Sequence, residues 1–347
     1  MKKIGIITFH WATNYGAVLQ CYALQEALKE LGYEVQIINY KPTKFDNNLW
    51  HFILYRKFLR ISEYLKDRKK EQKLSKFRNT HLILTKRYTS VSQLQTEHMD
   101  YDILITGSDQ ILNPWFLEYG ENGGSSAYYL DFGGNDIKRI AYAASFGITH
   151  YPERLITKCT NFINKFDLLS SREISGIEIF STMGRKDATI RPDPTLLHTS
   201  DFYSCLLTGQ TSLTYCIRMY MLRGLEKELP KKVHNEVKEV ITDQSIEEWL
   251  NAIRCSSHLI TNSFHGLVFC LLFHVPFSIV LNTLENKGMN DRFFTLLKAI
   301  GLENRIFLSS QFSTKDINFQ FNWNQVDLKL NGIRNQGWSF LKQIYTC

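Results

Sequence analysis

Proline is scarce, 7 in 347 residues, and a composition 44% hydrophobic and 22% charged leaves no room for a disordered, collagen-like or low-complexity chain. Long apolar runs are missing. The first, Ile4 to Phe9, follows Lys2-Lys3, breaks at His10 and lacks a small-residue cleavage site. It is too short for a secretory signal or a spanning helix, so a cytoplasmic protein is expected. Cys21, Cys159, Cys205, Cys216, Cys255, Cys270 and Cys347 form an odd set with no C-x-x-C, mostly inside apolar stretches, which suits a reducing compartment. Cys255 and His258, with His265 beyond, come nearest to zinc-ligand spacing. No second pair completes four ligands, so no metal site is expected. No internal repeat is visible beyond the similarity of the two halves described below.

What is present is enough chain for about two domains, taking ~150 residues as the prior, and an uneven charge. Between Lys44 and Arg78 lie eleven Lys/Arg against Asp46, Glu63, Asp67 and Glu71, an excess equal to the whole net charge of +7. The same stretch carries Trp50, Phe52, Tyr55, Phe58 and Tyr64 with few breakers, and reads as an inserted basic helical subdomain over about 44–80. No nucleic-acid motif accompanies it, so nucleic acid is not expected as a partner. An anionic membrane surface fits the same pattern, as does a solvated basic face over an ordinary core.

Lys3 to Thr8 is a short apolar run. From Ala17 the residues Cys21, Leu24, Leu28 and Leu31 keep helical spacing until Gly32, and Glu34 to Asn39 is the next strand. Strand, helix, strand within 40 residues is a βαβ unit, which places a ligand crevice at the strands' carboxyl ends. Asp102 to Thr106, Arg139 to Ala144 and Asp167 to Ser170 continue this sheet. A second alternation runs through a strand at Ser212 to Ile217, a helix near Leu222 to Leu229, then Val237 to Ile241, Ile246 to Ile253, His258 to Thr261, Leu267 to Phe273, Phe277 to Leu281 and Phe293 to Ile300. The chain therefore divides into a first α/β domain over 1–185, a second over 186–325, and a final helix over 326–347 returning to the first. The boundary falls in the loop-like stretch from Gly184 to Ser200.

Five polar, glycine-bearing segments sit at expected strand ends. They are Thr13-Asn14-Tyr15-Gly16, Gly107-Ser108-Asp109-Gln110, Ser145-Phe146-Gly147, Ser171-Arg172-Glu173 and Thr261-Asn262-Ser263-Phe264-His265-Gly266. Each alone reads as a turn; together they outline crevices. In the last, a strand runs through two good N-cap residues into an apolar helix, so backbone amides and His265 share a first turn suited to an anion. A histidine satisfied inside a tight turn is the alternative. Asp109 could take a proton from a sugar hydroxyl or cap its own turn. Arg172 offers a guanidinium to carboxylate or phosphate, or closes an intradomain ion pair; Arg292, after Asn290-Asp291, is a weaker version of the same case.

The opening IGIITFHWATNYGAVLQCYALQEALKELGYEVQIINY, then YDILITGSDQILNP, RIAYAASFG, SREISG, RPDPTLL and TNSFHGLVFCLLFHVPF, in this order, resemble the polysaccharide pyruvyl transferase family nearly end to end. The resemblance implies two Rossmann-like domains facing a cleft, similar to the GT-B arrangement. It also implies transfer of the enolpyruvyl part of phosphoenolpyruvate onto two hydroxyls of one sugar in surface polysaccharide or exopolysaccharide assembly. The acceptor would be a lipid-linked or polymeric glycan and no cofactor would be needed. His265 would match the family histidine and Arg172 its arginine, both on the donor; Asn262, Ser263, Phe264, Gly266 and Arg292 would complete the donor side. Asp109 would share the catalysis, with Asn14, Tyr15, Gly16, Gly107, Ser108 and Gln110 facing the acceptor. Two departures stand out. Ser263 occupies the position of an arginine in the better-characterised branch, an anchor absent here or supplied elsewhere with Arg292 as the candidate substitute, and Leu112 stands where many relatives carry Trp. Alternative expectations are a GT-B glycosyltransferase using a nucleotide sugar, or a glycan-pathway binding protein without turnover.

If the basic segment brings the protein to the inner face of a membrane, it should co-sediment with anionic but not neutral liposomes, and less so as salt rises. Arg68, Lys69 and Lys70 replaced by Ser should weaken that partition; equal partition onto neutral vesicles would overturn the expectation.

Overall fold

The computed structural model describes residues 1–46, 61–207, 216–285 and 288–346. It divides into two compact units, Met1–Pro194 with Ser339–Cys347, and Thr195–Trp338. In the first, β1 (Lys3–Ile7), α1 (Tyr15–Glu30), β2 (Glu34–Ile37), α2 (Ile61–His81), α3 (Val91–Thr96), β3 (Ile103–Thr106), α4 (Pro114–Tyr119), β4 (Lys138–Ala144), α5 (Glu153–Ile163), β5 (Leu168–Ser171), α6 (Ile174–Thr182) and β6 (Thr189–Ile190) follow in order. The strands form one parallel sheet ordered β2-β1-β3-β4-β5-β6. Chain order reverses direction between β1 and β3, which makes the carboxyl ends of those two strands the switch-point crevice. Their residues Ile4, Ile6, Ile7, Ile103, Leu104 and Ile105 are buried, as continuous apolar runs covered on both faces must be.

The second unit contains α7 (Ser200–Ser204), β7 (Cys216–Tyr220), α8 (Lys231–Glu236), β8 (Glu239–Val240), α9 (Ile246–Arg254), β9 (Ser256–Thr261), α10 (Phe264–Leu272), β10 (Phe277–Leu281), α11 (Asp291–Ile300), β11 (Ile306–Leu308) and the start of α12 (Trp323–Thr346). Its parallel sheet is ordered β11-β10-β9-β7-β8, so the same reversal occurs between β7 and β9. An α/β chain with two Rossmann-like sheets is therefore what the sequence pattern indicated.

Two local expectations need correction. The strand expected over Ser212 to Ile217 is centred later, as β7, and residues 208–215 lie outside the described residues. No helix spans Leu222 to Leu229. Arg223 and Gly224 take φ of +62° and +75°, which interrupts helical geometry and leaves only a 3₁₀ turn at Leu225–Glu228. Of the basic insertion, 47–60 fall outside the described residues. The helix α2 buries Leu74 and Phe77, and the Phe77 ring meets Tyr22 of α1 edge to face at 5.6 Å, while Lys66, Arg68 and Lys69 are exposed. Among the described residues no helix is long and apolar enough to cross a membrane.

His10 and His258 are two of the buried histidines. His10 bonds Asn39 Oδ1 at 3.0 Å, and His258, the zinc-spaced histidine, bonds Ser278 Oγ at 3.0 Å. Burial pushes His10 down to about 4 and His258 down to about 3, the latter also repelled by Arg305. Both stay neutral when folded, whereas the unfolded chain protonates them near pH 6.5. Above pH 7 they cost nothing. As pH falls from 6.5 toward 4, each should remove up to ~1.4 kcal/mol of stability per pH unit. Urea unfolding between pH 7 and 4.5 should show this slope, and His258→Asn should flatten it; an unchanged slope would count against the burial effect.

Candidate functional site

In the first unit, Asn14 caps α1, its Oδ1 accepting from the amides of Gly16 at 2.9 Å and Ala17 at 3.3 Å. That fixes the loop after β1, with Tyr15 buried beneath Lys70, whose Nζ lies 4.2 Å from the ring centroid. The loop after β3 is tied more heavily. Gly107 has φ of +129°, and a Cβ there would lie 2.1 Å from Tyr142 O, so only glycine fits. Ser108 N donates to Gln20 Oε1 at 2.8 Å, Ser108 O accepts from Thr8 Oγ1 at 3.1 Å, and Ser108 Oγ donates to Ala143 O at 2.7 Å. Asp109 takes φ of +76°, and its Oδ1 accepts from Gln110 N at 2.9 Å. The side chain of Gln110 packs over Gly147, where a Cβ would sit 2.6 Å from Oε1.

Arg172 is the centre of this edge. Its guanidinium is 1% exposed, and donates through Nη2 to Asp109 at 3.0 Å, through Nη1 to Asp193 at 3.1 Å and through Nε to Glu173 at 3.3 Å. Burial alone would weaken the protonated form, but Asp109, Glu173 and Asp193 overrule it and hold the guanidinium above its already high range. All three nitrogens face carboxylates of the same unit, which is the intradomain ion pair that the sequence left open beside the donor-binding role. Asp193 and Glu173 side chains are 0% and 4% exposed; Asp109, at 17%, is the cluster carboxylate that solvent or a ligand reaches. Asp193, which lies in RPDPTLL, and Gln20 are site residues that sequence reasoning missed. The signal for Gln20 was an amide embedded in the apolar face of α1.

In the second unit, Asn262 spans the switch point. Its Oδ1 accepts from Leu222 N at 2.7 Å and its Nδ2 donates to Leu222 O at 3.0 Å, joining the loops after β9 and β7. Asn262 is thus a strut between loops. Ser263 caps α10, accepting from Gly266 N at 3.2 Å, and its own amide donates to Thr261 Oγ1 at 3.0 Å. A Cβ on Gly266 would lie 2.9 Å from Thr261 Oγ1, so the absence of a side chain lets the first turn close on β9. His265 is buried in that turn, edge-on to Phe264 at 5.4 Å. The guanidinium carbon of buried Arg292, from α11, lies 5.5 Å from the centroids of both Phe264 and Phe293. The fold therefore brings His265, Ser263, Phe264, Gly266 and Arg292 together at one helix start. Leu112 is fully buried, with its amide donating to Ser145 O at 3.1 Å, so that departure falls in the packed interior.

A family model described as polysaccharide pyruvyl transferase matches residues 14–283. No curated protein matches the sequence. Among solved structures, UDP-GlcNAc 2-epimerase from Neisseria meningitidis bound to UDP-GlcNAc has a TM-score of 0.50 at 9% identity, covering 100% of each chain. This shows a shared GT-B type of fold. The Methanocaldococcus jannaschii UDP-GlcNAc 2-epimerase in complex with UDP-GlcNAc and UDP scores 0.48 at 10% identity, over 100% of this chain and 99% of that one. A glycosyltransferase from Streptomyces sp. SF2575 scores 0.38 at 10% identity, over 99% and 100%.

The ion cluster makes a test of Arg172. Arg172→Ala leaves three buried or half-buried carboxylates around an empty centre, and should lower stability by ~3–5 kcal/mol in urea unfolding. Arg172→Lys should recover part of this, since one ammonium cannot serve three directions as a planar fork does. Stability within ~1 kcal/mol of wild type in Arg172→Ala, below the usual cost of breaking a buried pair, would return the arginine to a ligand-binding role.

Proposed function

Because the chain belongs to the polysaccharide pyruvyl transferase family, we propose that it moves the enolpyruvyl group of phosphoenolpyruvate onto two hydroxyls of a glycan sugar, leaving a pyruvate ketal. The observation that carries this reading is the start of α10. There an imidazole and first-turn amides stand beside a guanidinium held over the neighbouring aromatic ring, at the switch point of a parallel sheet. A helix start of this kind favours a phosphate dianion, and Arg292 adds the formal positive charge that Ser263 does not supply.

In the proposed reaction the methylene carbon of phosphoenolpyruvate gains a proton and C2 becomes electrophilic. One sugar hydroxyl adds at C2; the second then displaces phosphate and closes the ketal. Two hydroxyl protons are released, one balancing the new methyl C–H bond and the other leaving with phosphate. His265 is assigned to proton transfer or to stabilising the departing phosphate. Asp109 is assigned to the acceptor hydroxyl, because it is the accessible carboxylate of its cluster and Arg172 holds its other oxygen contacts in place. On this reading Arg172 is a positioning residue, and Asn14, Gly107 and Ser108 shape the loops that present Asp109. The acceptor is a lipid-linked or polymeric glycan.

Phosphate release from phosphoenolpyruvate with a panel of glycan acceptors tests the proposal. His265→Ala should lower kcat by ~10²–10⁴-fold with a smaller change in KM, as expected for a lost acid–base group. Arg292→Ala should chiefly raise KM for phosphoenolpyruvate, by the ~10–100-fold that corresponds to a lost hydrogen bond to a charged group. Tight binding of a nucleotide sugar with no response to phosphoenolpyruvate would favour the glycosyltransferase instead. Wild-type kcat in folded His265→Ala would make the histidine a turn residue only.

A further inference from the structure

The first unit carries a row of aromatic rings at its switch-point crevice, its inner end, Trp11, packed against the core and its outer end, Trp115 and Tyr119, exposed. Trp11 follows β1, Phe45 closes a 3₁₀ turn after β2, and Trp115 and Tyr119 lie four residues apart on α4, just beyond the loop after β3. Trp11 stacks on Phe45 at 4.8 Å with 29° between the planes; Phe45 and Trp115 centroids are 6.2 Å apart, and Trp115 and Tyr119 are 5.9 Å apart. Trp115 is 44% and Tyr119 52% exposed. Lys44, itself exposed, holds its Nζ 4.7 Å from the centroid of Trp115 and 5.2 Å from that of Phe45, and has no carboxylate partner among the described residues. Lys41, near Trp11, is already paired with Asp46 at 3.4 Å.

The exposed rings of Trp115 and Tyr119 offer flat apolar faces of the size of a pyranose C–H face, and Trp and Tyr add polar edges at little entropic cost. Among the described residues the row holds one cation without a carboxylate partner, Lys44, which provides for one anionic group. A nucleic-acid strand or a lipid surface draws on several cations at once, and the other cation of the row is neutralised. We propose that this row is an acceptor subsite for a saccharide bearing a phosphate group, the sugar rings lying on Trp115 and Tyr119 at the exposed end of the row and the phosphate on Lys44. The inference rests on the reading of the chain as acting on a glycan, and it names the class of glycan.

Binding of the full chain to immobilised oligosaccharides, each with and without a single phosphate monoester, tests it. The wild type should retain phosphorylated members roughly tenfold better than their neutral counterparts, the lower end for a hydrogen bond to a charged group. Trp115→Ala should weaken both forms by about tenfold, and Lys44→Ser should erase the preference for phosphate while sparing the neutral form. Melting curves would establish that both surface variants stay folded. The inference falls if no member is retained, if both substitutions are silent, or if Trp115→Ala and Lys44→Ser affect only retention on anionic vesicles or single-stranded DNA. Phosphate release from phosphoenolpyruvate separates the two readings. Turnover with a silent array removes the subsite alone, and the array pattern without turnover removes the donor alone.

Discussion

One buried guanidinium holds the working edge of the first unit together. Parallel strands deliver all their outgoing loops to the same edge, and here the loops after β3, β5 and β6 each bring a carboxylate to it: Asp109, Glu173 and Asp193. Three such groups, two of them buried, would repel one another and lose hydration. The fork of Arg172 answers in three directions at once, which an ammonium cannot do. The same contacts hold Asp109 at φ of +76°, a backbone region that an L side chain rarely adopts without outside support. The order of this edge thus depends on an interaction that engages all three nitrogens of Arg172.

The two units repeat one topology and furnish it with opposite chemistry. Each sheet reverses its strand order once, and each reversal opens a crevice between two loops. In the first, side chains supply carboxylate and aromatic surface; in the second, a helix start, an imidazole and a guanidinium supply positive potential. On the proposed function this is a division of labour between a hydroxyl-bearing substrate and a doubly charged donor.

The elements that buried apolar runs dictate were legible in the sequence. Lys3–Ile7, Ile103–Thr106 and Phe277–Leu281 can only be covered strands, and glycine after Leu31 closes α1 as its conformation requires. Legibility ended where a polar group's partner is distant in the chain. Arg172 reads equally well as free or paired until the fold shows Asp193 and Asp109 beside it, 21 and 63 residues away. Asn262 looks like a ligand contact in a polar loop until its amide is seen bonded to Leu222, 40 residues earlier. The missing helix at Leu222 to Leu229 is a different failure. Its apolar spacing is real, but two consecutive left-handed residues, Arg223 and Gly224, decide the backbone before spacing can act. The aromatic row escaped notice for a third reason, since its members come from three segments and no local periodicity links them.

Ser263 shows how a departure from a family pattern can be absorbed by the local fold. A serine at an N-cap accepts from the amide three residues on, as Ser263 does from Gly266, and so strengthens the helix start that arginine would leave uncapped. What is lost is a formal charge. Arg292 enters from the first turn of a different helix, α11, and its guanidinium lies over Phe264, the residue that separates Ser263 from His265. Packed between Phe264 and Phe293, it is restrained by ring faces that also favour its charge, so little side-chain freedom remains to be lost when an anion arrives. On the proposed function, moving the cation from the loop to a neighbouring helix lets one short segment keep its cap and the site keep its charge.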